Sequence, residues 1–377
     1  MAAKPVKKSV ALSGVVVGET ALSSIDPEAG VLAYRGYDIA DLAEHATYEE
    51  VAYLLLEGEL PDGDELEGFR EELAAARDLP AAVEAIVDAN AADASPMSML
   101  RTAVSALPFG DRAEGAIDRE NERRKAVRLI AQLPTIVARQ RRRRDGLDPI
   151  PPDASLSHAE NFLGMLNGET PSEQEARAFD VALILHAEHE LNASTFAARV
   201  VAGAGADVHS AIVAAISALR GPTHGGANEL AIRYIGAFPS VDAVAEWVRE
   251  KLDAKQTLFG FGHPVYVTMD PRVPILRRLS EELSHDAGEP NWYALTEATE
   301  RAVLEQKPGL WPNVDLYSGS LYRYLGIPDD LFPPVFECSR VAGQCAHVLE
   351  QHANRKIIRP AAEYVGPEPR RFPVRAA

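Results

Sequence analysis

Tyr48-Glu49-Glu50-Val51-Ala52-Tyr53-Leu54-Leu55-Leu56-Glu57 decides the fold class, because its apolar residues return at spacings of three and four, as Val51, Leu54 and Leu55 do. That period belongs to a helix with one buried face. It recurs in Asp64–Arg77, Pro96–Ala106, Gly115–Arg144, Ser155–Asn167, Ser172–His186 and Val208–Leu219. Beyond these it continues through Ala227–Ala237, Val241–Ala254, Val273–Ala287, Trp292–Lys307, Leu316–Leu325 and Pro334–Asn354. Asp64 before Glu65, Ser172 before Glu173 and Pro290-Asn291 before Trp292 are helix start signals. Strand signals are confined to Val15-Val16-Val17-Gly18-Glu19-Thr20 and Gly30-Val31-Leu32-Ala33-Tyr34-Arg35-Gly36. The turn former Asp26-Pro27-Glu28-Ala29-Gly30 lies between them and predicts a short hairpin or paired extended segments. A dozen helices and one hairpin make an all-α protein.

The 377 residues allow two or three domains at about 100–200 residues each. No fixed repeat points to a solenoid and no Ser/Gly-rich linker divides the chain, so a second domain is expected as an insertion. With 46% hydrophobic and 25% charged residues the composition is that of a globular protein. No run approaches the ~20 apolar residues of a membrane span. Met1 to Val10 carries Lys4, Lys7 and Lys8 without a following apolar segment, so no secretory signal is read and a cytoplasmic protein is expected.

Thirty-eight basic against 56 acidic residues leave a net charge of -18, and thirty of the basic residues are arginines. This excludes a general nucleic-acid binder. An acidic, lysine-poor surface predicts a cytosol at molar salt, where the Debye length falls to ~3 Å. Cys338 and Cys345, seven apart in one helix, are expected as core thiols. The basic run Arg139–Arg144 is either a solvated helix end balancing the macrodipole or an anion site.

Four stretches set catalytic residue types among glycines and small residues. In Gly221-Pro222-Thr223-His224-Gly225-Gly226-Ala227-Asn228-Glu229 the histidine stands where a helix should begin. The positive helix end keeps such an imidazole neutral and able to donate to a developing oxyanion; the alternative is a turn histidine capping the helix. Phe259-Gly260-Phe261-Gly262-His263-Pro264-Val265-Tyr266 runs on to Asp270-Pro271-Arg272, whose guanidinium suits a bidentate grip on a carboxylate. Asn313-Val314-Asp315-Leu316-Tyr317-Ser318-Gly319-Ser320 holds Asp315 at a predicted helix start, where an ordinary N-cap is the alternative. In His186-Ala187-Glu188-His189-Glu190-Leu191-Asn192-Ala193-Ser194-Thr195 two histidines are three apart and could share a helix face. The zincin pattern and a third ligand are both lacking, so no metal is expected.

Taken in this order and spacing, the four stretches closely resemble the citrate synthase family. The likeness extends to Tyr34-Arg35-Gly36-Tyr37-Asp38-Ile39, Leu54 through Pro61, Leu100-Arg101-Thr102-Ala103-Val104-Ser105, Ser339-Arg340 and Ile358-Arg359-Pro360, over roughly residues 14–366. The length matches the shorter bacterial and archaeal dimeric members. The resemblance implies a large helical domain, 1–221 and 325–377, with a smaller one, 222–324, inserted in it, and a homodimer with active sites between the domains. It implies condensation of acetyl-CoA with oxaloacetate and water to citrate and CoA, with no metal and no cofactor beyond the CoA substrate. By the same resemblance Asp315 is the base that removes a methyl proton, neutral His224 stabilises the enol on the thioester oxygen, and His263 polarises the ketone.

Arg272 and Arg340 from one subunit, Arg359 from its partner and His189 are implied to bind oxaloacetate. Leu258, Phe259, Gly260, Phe261 and Gly262 are implied to receive CoA through backbone groups. The basic residue the family places shortly after His263 is absent, Val267, Thr268 and Met269 standing there, which leaves Arg139–Arg144 or Lys255 as phosphate candidates. The last 23 residues are locally basic, with Arg355, Lys356, Arg359, Arg370, Arg371 and Arg375, as fits an arm reaching a partner. Two other readings stand beside this one: a 2-methylcitrate synthase using propionyl-CoA, and a non-catalytic helical binding protein.

Overall fold

The computed structural model describes residues 12, 14–285, 288 and 291–371. Lys4, Lys7, Lys8, Ala287, Pro290 and Arg375 lie outside them. Among the described residues the chain opens with a three-stranded antiparallel sheet of β1 (Ser23–Asp26), β2 (Val31–Tyr34) and β3 (Tyr37–Asp38). Then come α1 (Ile39–His45), α2 (Tyr48–Glu57), α3 (Gly63–Ala75), α4 (Ala81–Asn90), α5 (Pro96–Ala106), α6 (Arg119–Arg144), α7 (His158–Asn167) and α8 (Glu173–His186). The second half holds α9 (Ala193–Gly203), α10 (Val208–Leu219), α11 (Ala227–Ile235), α12 (Val244–Asp253), α13 (Val273–Ser284), α14 (Trp292–Gln306), α15 (Val314–Tyr324) and α16 (Phe332–Asn354). The protein is all-α, as its periodicity predicts, and no described helix is long and apolar enough to cross a membrane.

The expected hairpin forms with a different first strand. Ser23 pairs with Tyr34 and Asp26 with Val31, while 15–19 belongs to no strand. The turn explains this: Asp26 Oδ1 accepts from the amides of Glu28 and Ala29, and Gly30 closes at φ +65°, so the residues just before Asp26 fall opposite Val31. Helix starts follow cap chemistry. Ser172 makes the capping box with Glu175, Asn291 caps α14, and α3 starts from Asp62 rather than Asp64 because Asp62 and Glu65 satisfy each other's amides.

The long α16 lies at the centre, buried along nearly its whole length and packed on α2, α6, α8, α9 and α10. Both cysteines sit in it as free, buried thiols. Helices α11 to α15 pack mainly on one another, α13 and α15 also touching α8 and α11 touching α16. Gly343 lets α16 approach the segment after α8, since a Cβ there would run into the Ala187 carbonyl and the Glu188 carboxylate. Gly343→Ala should therefore destabilise the fold by about 1–3 kcal/mol, read as a lower urea midpoint at unchanged slope.

Candidate active site

Two helix beginnings and one loop position the imidazoles. Asn192 caps α9, its Oδ1 accepting from the Thr195 amide, which leaves the Ser194 N–H free to point outward. That N–H donates to His224 Nε2 at 3.2 Å, and Ser194 Oγ lies 2.9 Å from the same nitrogen. An acceptor at Nε2 fixes the proton of the neutral ring on Nδ1. Burial, helped by the Arg340 charge, pushes His224 down to about 4. Burial and the Arg340 charge, rather than a helix end, lower the ring, and the start of α9 supplies the donor that occupies its Nε2. His224 itself stands in the turn before α11, which Gly226 caps without a side-chain bond, so the helix-capping alternative fails.

His263 is held in the same manner by its other nitrogen. The amides of Val265 and Tyr266 donate to its Nδ1 at 3.0 and 3.3 Å, leaving the proton on Nε2. Burial and the Arg272 charge push it down to about 4 against the opposing pull of Asp270. The loop before it is stitched to the approach of α15. Gly262 N–H donates to the Trp311 carbonyl, Asn313 N–H to the Gly260 carbonyl, and Asn313 Nδ2 to the Gly262 carbonyl, at 2.8 to 2.9 Å. Tyr234 donates its hydroxyl to the Phe259 carbonyl. Gly260 and Gly262 adopt φ of +86° and +75°, which this close weave requires. Leu258 and Phe261 are buried beneath it.

The same weave sets Asp315. Asn313, not Asp315, is the N-cap of α15, accepting from the Asp315 amide at 3.0 Å. Relieved of capping, the Asp315 side chain is half-buried, and burial raises its carboxyl to about 7, with Asp270 adding to the rise and Arg272 and Arg340 opposing it. Arg340 acts electrostatically on His224, His189 and Asp315, and Arg272 acts on His263, His189 and Asp315. Residues from α8's end, the 221–226 turn, the 259–272 loop, α15 and α16 therefore share one field.

Arg340 is buried, its Nε donated to the His186 carbonyl and its guanidinium carbon 4.6 Å from the Phe336 ring centre. Arg272 is equally buried, but Asp270 already takes its Nε and Nη2 edge at 2.9 and 2.7 Å. Its Nη1 donates to the Leu185 carbonyl at 3.5 Å. His189 Nε2 sits 3.1 Å from the Tyr266 hydroxyl, its ring 5.1 Å from that of His263. Burial and the two arginines hold it well below the usual imidazole range. His186 and His189 share no helix face, because α8 ends at His186, whose Nδ1 donates to the Ala182 carbonyl.

Arg359 is not brought to this cluster; it is exposed on the extended chain after α16. Four arginines of the run Arg139–Arg144 pair with carboxylates, Arg139 with Glu84 and Asp88, Arg141 with Asp145, Arg143 with Asp88 and Asp148, and Arg144 with Asp330, while Arg142 donates to the Asp148 carbonyl. Arg141 to Arg144 form the last turn of α6, the place the helix-end reading gives them. Val267-Thr268-Met269 packs on the sheet's turn, Val267 N–H donating to the Pro27 carbonyl and Thr268 Oγ1 lying where a Cβ on Gly30 would be 2.8 Å away.

An all-α frame thus sets two buried imidazoles, a raised carboxyl and two buried guanidiniums within one electrostatic field, a combination suited to acid–base chemistry on an anion. The family model for the citrate synthase C-terminal domain matches residues 11–361, and the chain belongs to the citrate synthase family, whose enzymes are acyltransferases. A citrate synthase of Haloferax volcanii is 49% identical over 94% of this chain and 95% of its own. A 2-methylcitrate synthase 2 of Corynebacterium glutamicum is 43% identical over 95% of each. The solved citrate synthase of Thermoplasma acidophilum, in ternary complex with carboxymethyl coenzyme A and oxaloacetate, superposes with a TM-score of 0.91 at 32% identity, covering 96% of this chain and 97% of that one.

Proposed function

We propose that the protein condenses acetyl-CoA with oxaloacetate and water to give citrate and CoA. The observation that carries this is the pair of opposed tautomers: backbone amides bind Nε2 of His224 and Nδ1 of His263, so each ring offers its remaining N–H to substrate. Asp315 takes a proton from the acetyl methyl group while His224 Nδ1–H stabilises the enol on the thioester oxygen. The enol carbon attacks the ketone carbon of oxaloacetate, whose oxygen is polarised by His263 Nε2–H. Water then cleaves the thioester and releases the thiol. Arg272 and Arg340 meet the oxaloacetate carboxylates with His189 beside them, and Leu258–Gly262 receives CoA, with Lys255 as the nearest cation in sequence.

The function is that of a homodimer in which Arg359 completes the partner's site. An exposed arginine on a terminal arm, with Ile357, Tyr364 and Val365 exposed beside it, supports this. Residues 222–324 form the smaller domain and close over oxaloacetate; His224, His263, Arg272 and Asp315 lie in it, whereas His189, Ser194 and Arg340 lie outside. The acidic, arginine-rich composition and the haloarchaeal relative support a cytoplasm at high salt.

Propionyl-CoA is the competing acyl donor, favoured by the 43% identity to a 2-methylcitrate synthase. One methylene in an apolar pocket is worth about 1–3 kcal/mol, so kcat/KM for acetyl-CoA should exceed that for propionyl-CoA by about tenfold or more. Thiol release with each acyl-CoA and oxaloacetate, in molar KCl and at low salt, measures this. The reverse preference assigns 2-methylcitrate instead.

A further inference from the structure

Behind the start of α9 lies a buried polar pair that the reaction above does not use. Glu337 and Gln344 are both fully buried in α16, among Phe336, Val341, Ala342 and Cys345. Gln344 Nε2 donates to Glu337 Oε2 at 3.2 Å and to Ser194 Oγ at 3.3 Å. Ser194 is the residue whose amide and hydroxyl meet His224 Nε2. The remaining oxygens, Glu337 Oε1 and Gln344 Oε1, have no partner. Unpaired buried polar atoms cost stability that apolar residues of the same size would avoid, so packing gives no reason for the pair. Its direction toward His224 gives one.

We propose that Gln344, oriented by Glu337, is a positioning residue for His224: its amide holds the Ser194 hydroxyl against the Nε2 edge of the ring and so keeps the ring proton on Nδ1. This rests on His224 being the donor to the thioester oxygen. The Ser194 hydroxyl has one hydrogen, and Asn192 Oδ1, 2.8 Å away, competes for it while also capping α9. The Gln344 N–H occupies an oxygen lone pair, which strengthens the hydroxyl as a donor and limits its rotation. A proton placed on Nε2 would meet the Ser194 N–H head on. Burial raises the Glu337 carboxyl to about 8 against the Gln344 bond and the Arg340 charge, so at pH 7 it is mostly neutral and adds no field that would draw a proton onto His224.

The experiment is a double-mutant cycle on the full-length enzyme, with thiol release from acetyl-CoA as the readout. Gln344→Met should lower kcat about tenfold with KM for oxaloacetate changed less than about twofold. Ser194→Ala should lower kcat comparably, and the double variant should be no worse than Ser194→Ala, because Gln344 acts through Ser194. Losses that multiply, or a folded Gln344→Met with wild-type kcat, overturn the proposal. Glu337→Gln and Glu337→Leu provide a second arm, independent of whether Gln344→Met folds. The glutamine keeps an acceptor for Gln344 and should retain more kcat than the leucine; equal kcat overturns the proposal. An active wild type with either failure refutes this inference alone, whereas a wild type inactive with both acyl-CoAs refutes the assignment of the site and this inference with it.

Discussion

Asp315→Asn should lower kcat by about three orders of magnitude and, above pH 7, make the folded chain more stable. The activity loss follows from the proposed role of Asp315 as the base. The stability gain follows from linkage. In the folded chain the carboxyl is raised from its ordinary 3.8 to about 7, chiefly by burial, so between these values the folded state binds a proton that the unfolded state does not. Wild-type stability therefore falls as pH rises from 4 through 7, by up to about 4 kcal/mol for this one group, less what its part exposure screens. Asparagine carries no such charge. Thermal denaturation should find the variant equal to wild type near pH 4 and above it at pH 8, and wild-type kcat/KM should fall on acidification with an apparent pKa near that of Asp315. A variant that is no more stable at pH 8 than at pH 4, relative to wild type, would show that this carboxylate is not held at a cost.

That strain was only partly legible in the sequence. Helices with strongly periodic apolar faces were: Tyr48–Glu57, Pro96–Ala106 and Val208–Leu219 have the boundaries the pattern predicts. The helices α1, α4 and α9 were not, because they are short or alanine-rich and bury few large side chains, as α4 does with Val83 and Val87 alone. Of these, α9 matters most, because it carries Ser194. The signal was present, since Asn192 precedes Ala193-Ser194-Thr195, a capping residue before a helix-forming run. Without that helix, nothing in the sequence places the Ser194 amide against His224 Nε2.

The roles of Ser194 and Asp270 show a second limit. Both stand inside the stretches that mark the site, yet spacing alone does not say that Ser194 faces His224 across thirty residues, or that Asp270 turns back onto Arg272. The catalytic residue types are set by chemistry and can be recognised one by one. Their partners are set by packing between α9, α15 and α16, which one-dimensional periodicity does not encode. Glu337 and Gln344 are the extreme case, two fully buried polar residues of α16 whose meaning depends on what lies across from them.

Arg272→Met should be the most damaging single change to stability, by about 3–5 kcal/mol at pH 7, together with a rise in KM for oxaloacetate of about tenfold to a hundredfold. Asp270 is 1% exposed, and both its oxygens are held by the guanidinium. Burial works against its charge, and Arg272 outweighs that, holding the carboxyl below its usual range. Without the guanidinium the carboxylate is left buried and unpaired. In wild type this depressed carboxyl contributes stability above its unfolded value that is lost as pH falls through its folded value, so the deficit of the variant should shrink on acidification. The double variant Asp270→Asn with Arg272→Met separates the two roles of the arginine. It removes the orphaned charge and should regain most of the lost stability in urea denaturation, while oxaloacetate binding stays impaired because the Arg272 guanidinium is gone and Arg340 alone remains. Recovery of both together would mean that Arg272 serves the fold alone and that substrate is held without it.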